Sequence, residues 1–188
     1  MRKNFKEQSW VFPMPVFILG TYNEIGTANA MTAAWAGIYD TNKVFVSLSS
    51  HKTTDNFKRT GAFTVSFATK EYAKECDYVG IVSGNKVPDK VARAGLTPVK
   101  SEFVNAPYFE ELKVALECEV SKIIEDEDGI KLIGDIINVS ADESVLTNGK
   151  IDTEKLEPLS FDPANNRYYT INEYVADAFK VGIELRNK

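Results

Sequence analysis

The sequence has a single histidine, His51, and only two cysteines, Cys76 and Cys118, among 188 residues. So few ligand-type residues, with no metal-ligand spacing, exclude a zinc site from expectation. There is no G-x-S-x-G elbow, no G-x-x-x-x-G-K-[ST] phosphate loop and no G-x-G-x-x-G fingerprint. His51 has no obvious serine or cysteine nucleophile paired with it, so triad hydrolysis is not expected. Basic excess is also missing: 22 Lys and Arg against 27 Asp and Glu give a net charge of −5. That balance argues against a nucleic-acid binder, which needs a basic face to displace counterions. No apolar run approaches the roughly 18 residues that span a bilayer, so no membrane segment is expected. The N-terminal MRKNFKEQSW has charges without an apolar stretch, and no secretory signal is read there. With no repeat and no low-complexity linker, residues 1–188 are expected to form one domain with two reduced thiols, in the cytoplasm.

What the chain does have is alternation. KVFVSLS sets Val44, Val46 and Leu48 against Phe45, Ser47 and Ser49, and AFTVSFA sets Phe63, Val65 and Phe67 against Thr64 and Ser66. LKVALECEV alternates again, EDEDG ends in the hairpin dipeptide Asp128–Gly129, and IKLIGDIINVSAD returns with Gly134 as an expected bulge. TTDNFKRTG predicts a short helix with Thr53 or Thr54 as N-cap and Gly61 past its end. KEYAKECDYVG and PDKVARAG predict two more, and YYTINEYVADAF a last strand or helix. The fold class expected is mainly β with short helices, an antiparallel barrel.

Two stretches point to a ligand. GTANAMTAAWAG, from Gly26 to Gly37, is built of small residues around Asn29 and Thr32, which allows close approach to the backbone and hydrogen bonding to a flat heterocycle. SLSSHKTTDNF brings Ser47, Ser49, Ser50, Lys52, Thr53 and Thr54 to a helix start, where free N–H groups favour an anion such as phosphate. Separately, these read as tight strand packing and a capped surface helix; together they describe a mononucleotide-sized site. SGNKVPDK could add Ser83, Gly84 or Lys90 to the phosphate, or be a plain polar loop. Trp35 is expected in the core, Cys76 and Cys118 as inert packing, and the acidic run 125–128 as a solvated turn.

These segments, with PMPVFILGTY, DYVGIVSGNKVPDK, LECEV, LIGDIINVSAD and NGKID, run in order from about Pro13 to Gly182 and resemble the flavin reductase-like family, in particular its flavoredoxin branch. The resemblance implies an FMN-binding split barrel, a homodimer with flavin near the subunit interface. It implies that Asn29, Ala30, Met31 and Thr32 lie along the isoalloxazine ring. Ser47, Ser49, Ser50, Lys52 and Thr53 would surround the ribityl phosphate, joined by Ser83, Gly84 and Lys90. His51 receives no role beyond phosphate contact.

The function so implied is an oxidoreductase that takes electrons from NADH or NADPH, or from a protein donor. Bound FMN would pass them to a flavin, metal or protein acceptor. Such chemistry is the cofactor's and needs no protein acid–base pair. The alternative is a flavoprotein electron carrier without direct NADH or NADPH use. A small barrel binding another phosphorylated ligand, or acting as an interaction module, is the third reading.

Overall fold

The computed structural model describes residues 1–187. A short strand β1 (Met14–Pro15) leads into β2 (Phe17–Tyr22), β3 (Ala28–Ala33), β4 (Ala36–Asp40) and β5 (Lys43–Leu48). Helix α1 (Lys52–Thr60), β6 (Ala62–Phe67), α2 (Ala73–Ile81) and α3 (Lys90–Arg93) follow. After β7 (Pro98–Lys100) and β8 (Pro107–Phe109) comes a long hairpin, β9 (Val114–Asp126) and β10 (Gly129–Ala141). The chain ends through β11 (Leu146–Thr147), β12 (Lys150–Ile151), α4 (Thr153–Leu156), β13 (Leu159–Asp162) and β14 (Arg167–Thr170).

Seven of these strands form one antiparallel sheet in the order β3-β2-β6-β9-β10-β5-β4. Its two edges are β3 and β4, which are joined by only Ala34 and Trp35. Three Cα steps separate Ala33 from Ala36, so the edges lie within about 11 Å of each other. A seven-stranded sheet can meet that condition only by curling into a barrel. The edges do not pair, and the barrel stays split along the β3–β4 seam. A hydrogen bond from the Ser47 N–H to the Trp35 carbonyl, 2.8 Å, holds the connecting turn against β5.

The inner face carries the alternating residues: Leu19, Met31, Val46, Phe63, Val65, Cys118 and Leu132 form one buried cluster with Phe57 of α1. A second cluster lies outside the barrel, where Ile18, Ala30, Cys76, Val79, Val91 and Phe109 pack β2 and β3 beneath α2 and α3. Thr64 and Ser66, on the face of β6 opposite Phe63 and Val65, are therefore buried too. Thr64 donates to the Pro107 carbonyl at 2.5 Å. Glu117 is buried as well, accepting from Ser101 Oγ and, at 2.7 Å, from Asn138 Nδ2.

Local expectations meet the structure with small shifts. The β9–β10 hairpin turns at Glu127–Asp128, and the register slips between Ile133 and Gly134, the expected bulge. A Cβ at Gly134 would lie 2.3 Å from the Phe63 ring, which is why that position has none. The N-cap of helix α1 lies two or three residues before the expected Thr53 or Thr54: it is His51, and Thr54 Oγ1 accepts from the His51 N–H at 2.9 Å. Gly61 ends it with φ +70°. The segment YYTINEYVADAF gives its first three residues, Tyr168, Tyr169 and Thr170, to β14 and then runs without regular structure to Asp177.

Candidate functional site

The seam creates the site. Because β3 has no strand beyond it, its outer backbone edge is open, and the small residues around it keep the approach clear. A cavity of about 470 Å³ lies there, within the span of small-ligand sites, about 300–1,000 Å³. Its walls come from Met31, Thr32, Ala33 and Ala34 on β3 and its turn, and from Ser47, Leu48 and Ser49 on the opposite side of the seam. Gly80 and Ile81 of α2, Asp128 of the hairpin tip, and Phe161 and Tyr168 of β13 and β14 complete it.

A narrower cavity of about 210 Å³ shares Met31, Thr32, His51, Gly80 and Ile81 with the first. Asn29, Lys52, Thr53, Ser83, Gly84 and Lys90 line it further in. The start of the nine-residue helix α1 faces this space, and the N–H groups of Lys52 and Thr53, having no preceding turn, find no carbonyl partner within the helix. Asn29 Nδ2 donates to Thr53 Oγ1 at 2.8 Å, tying β3 to the helix start. Gly84 makes that arrangement possible: a Cβ there would lie 2.4 Å from Asn29 Oδ1. Gly80 does the same for α2, since its Cβ would meet Thr32 Cβ at 2.8 Å.

The electrostatics of the two cavities differ. Lys52 Nζ is 2.7 Å from Glu24 Oε2, and Lys90, only 3% exposed, donates to the Val79 and Val82 carbonyls at 2.8 Å each. Burial pushes the Lys90 ammonium down to about 8. His51 Nε2 lies 2.9 Å from Ser49 Oγ, and burial, then the Lys90 charge, holds its imidazole below the ordinary range. The wide cavity carries carboxylates instead, Asp77 and Asp128. Tyr168 donates to Asp77 Oδ1 at 2.8 Å, and burial with that contact pushes the phenol up to about 12, so it stays protonated. The thiols of Cys76 and Cys118, pushed up to about 12 by burial, have no part in the site.

Of the sequence-derived candidates, Asn29, Met31, Thr32, Lys52, Thr53, Ser83, Gly84 and Lys90 line the narrow cavity. Ser47 and Ser49 line the wide one, not the space beside Lys52. Ala30 and Ser50 line neither. The two-residue period of β3 turns Ala30 outward into the cluster under α2, and Ser50 is exposed. Trp35 corrects another expectation: it is 52% exposed on the cavity wall, its ring 6.2 Å from Phe161, and not in the core. Sequence reasoning missed Asp77, Gly80, Phe161 and Tyr168 altogether. Only Gly80 left a signal, as a glycine inside a helical pattern where it weakens the helix.

Comparison with known proteins agrees with this geometry. The chain matches the model of the flavin reductase like domain over residues 9–169. The chain belongs to the flavin reductase-like family. A solved structure of flavoredoxin from Desulfovibrio vulgaris (Miyazaki F) superposes with a TM-score of 0.92 at 38% identity, covering 97% of this chain and all of that one. Flavoredoxin from Methanosarcina acetivorans gives 0.88 at 30% identity, over 98% of this chain and 100% of its own. The YwrF protein of Bacillus subtilis is 26% identical over 180 residues, 87% of this chain and 86% of that protein. The split barrel is thus the family's fold, and no helix among the described residues of this flavin reductase-like chain is long and apolar enough to cross a membrane.

Proposed function

We propose that this flavin reductase-like domain, residues 1–188, binds FMN and works as an oxidoreductase. The observation that carries the reading is the pair of adjoining cavities at the seam, one wide and edged by aromatic rings, the other narrow and cationic. FMN needs both, a slot for a planar ring and donors for a dianionic phosphate. The residues present fit it. The open edge of β3 with Met31 and Thr32 borders the ring space, where Ala33, Ala34 and Gly80 leave it clear. Lys52, Lys90, Thr53 and the first N–H groups of α1 supply positive charge and donors for the phosphate. Ser83 and Gly84 close that end.

When bound, FMN supplies the electron-transfer chemistry. The chain's part is to bind, orient and shield. Asn29 holds the helix start against β3, Lys90 holds the end of α2, and Trp35, Phe161 and Tyr168 form an aromatic wall where a second planar molecule can meet the ring. NADH or NADPH is the proposed donor, with a flavin, metal or protein as acceptor. The two free thiols fit a reducing compartment, the cytoplasm. Protein reconstituted with FMN is expected to show flavin absorbance that bleaches under anaerobic NADH or NADPH at catalytic rates. Persistent bands would leave a carrier served by protein partners. No binding of FMN would overturn the reading.

A homodimer belongs to the same proposal. Ile38 is 90% exposed on the edge strand β4, with Ile137 and Val139 exposed on β10 and Trp10, Val11 and Phe12 along the N-terminal segment. These exposed apolar side chains are the surface proposed to be covered by a second copy of the chain. Light scattering at micromolar concentration is expected to give twice 21.0 kDa, and a strict monomer would refute the dimer.

A further inference from the structure

We propose that His51 grips the anionic end of the flavin in its protonated form, so that FMN binding draws a proton onto this side chain. The inference rests on the FMN reading above. His51 is one of the five residues common to both cavities, the junction between ring space and phosphate space. Its main chain is fixed as the α1 N-cap: the Thr54 and Asp55 N–H groups donate to its carbonyl at 3.0 and 3.2 Å, and its own N–H donates to Thr54 Oγ1. The ring is oriented by Ser49, 2.9 Å from Nε2.

The charges around it explain why a proton would arrive with the ligand. Lys52 follows it on α1 and is engaged by Glu24 of the β2–β3 turn; Lys90 of α3 faces it across the narrow cavity. Asp77 of α2 and Asp128 of the hairpin tip stand on the wide-cavity wall, where Asp77 is engaged by Tyr168 of β14. The positive end of the helix adds to the lysines. In the free protein partial burial, and then one of these cations, Lys90, disfavour the protonated imidazole. A phosphate dianion among them cancels the opposing charge and adds negative charge of its own, so the protonated ring becomes the favoured form. By reciprocity, acidification then tightens FMN binding.

Because His51 is the single histidine, its imidazole signals in an NMR pH titration need no assignment. The titration is run on the free protein, with saturating FMN, and with riboflavin, which has the ring but no phosphate. The expected result is a rise in the His51 pKa of about one unit or more with FMN, a tenfold linkage, and a smaller rise or none with riboflavin. FMN binding is read independently by flavin fluorescence. Bound FMN with an unmoved or lowered His51 pKa overturns this proposal alone, as does an equal rise with riboflavin. Failure of FMN to bind overturns the site and the proposal together.

Discussion

Lys90→Met is expected to weaken FMN binding by about 10- to 150-fold, the worth of roughly 1.5–3 kcal/mol for hydrogen bonds to a charged group. Methionine keeps the length and apolar body of the buried side chain and removes only the ammonium. That ammonium is aimed by two carbonyls at the end of α2, those of Val79 and Val82, and its remaining donor capacity serves the narrow cavity. A pH series gives the sign. Burial disfavours the charged form, so in the free protein Lys90 loses its proton from about pH 8. In the unfolded chain the same proton is kept to the ordinary lysine range. Between the two the unfolded state binds more protons, so this residue's contribution to folding stability rises with pH. Anion binding moves the other way and declines as pH passes about 8. Isothermal titration with FMN from pH 7 to 9.5 should show a decline around pH 8 in the parent protein that the variant lacks. Thermal melting checks that the variant is folded. Equal affinity in both proteins at pH 7 would remove Lys90 from the site.

Gly20→Ala is expected to cost about 3–5 kcal/mol of stability, the combined effect of overpacking a buried strand and orphaning a buried hydrogen bond. Gly20 lies in β2, between β3 and β6. A Cβ there would stand 2.2 Å from the Pro107 carbonyl oxygen and 2.4 Å from Thr64 Oγ1, the two atoms of one buried hydrogen bond. Neither is the end of a flexible side chain: one is backbone, and the other sits on a β-branched residue with no exposure. The new methyl therefore cannot be accommodated by a rotamer change. Either the β8 segment lifts off the sheet or the Thr64 bond breaks. A urea denaturation curve should show a large fall in midpoint with little change in slope. A midpoint within experimental error of the parent would show that β8 yields freely.

How much of this was legible beforehand depended on range. Strand alternation at Val44, Val46 and Leu48, the glycine stop at Gly61 and the bulge at Gly134 are local consequences of side-chain period and backbone freedom, so they could be read from a few residues. The small-residue stretch 26–37 and the hydroxyls and lysine of 47–54 likewise suggested surfaces for a ring and an anion, since both readings depend on chemistry carried by adjacent residues, and the structure sets members of both stretches on the two cavities. Trp35 was misread because exposure is not local. An indole in an apolar neighbourhood is usually buried, and nothing nearby in sequence says that the sheet splits at that point. Asp77 and Tyr168 were invisible because their pairing joins residues 91 apart.

The sequence by itself thus determined the main strands, the short helices and two stretches that line cavities. Only the tertiary structure decided where they meet. The two-residue link between β3 and β4 forces opposite edges of a seven-stranded sheet together. Because those edges come close without pairing, the seam stays open as a cavity. Its far wall is supplied by elements from α2 to β14, which no local pattern could assign to it.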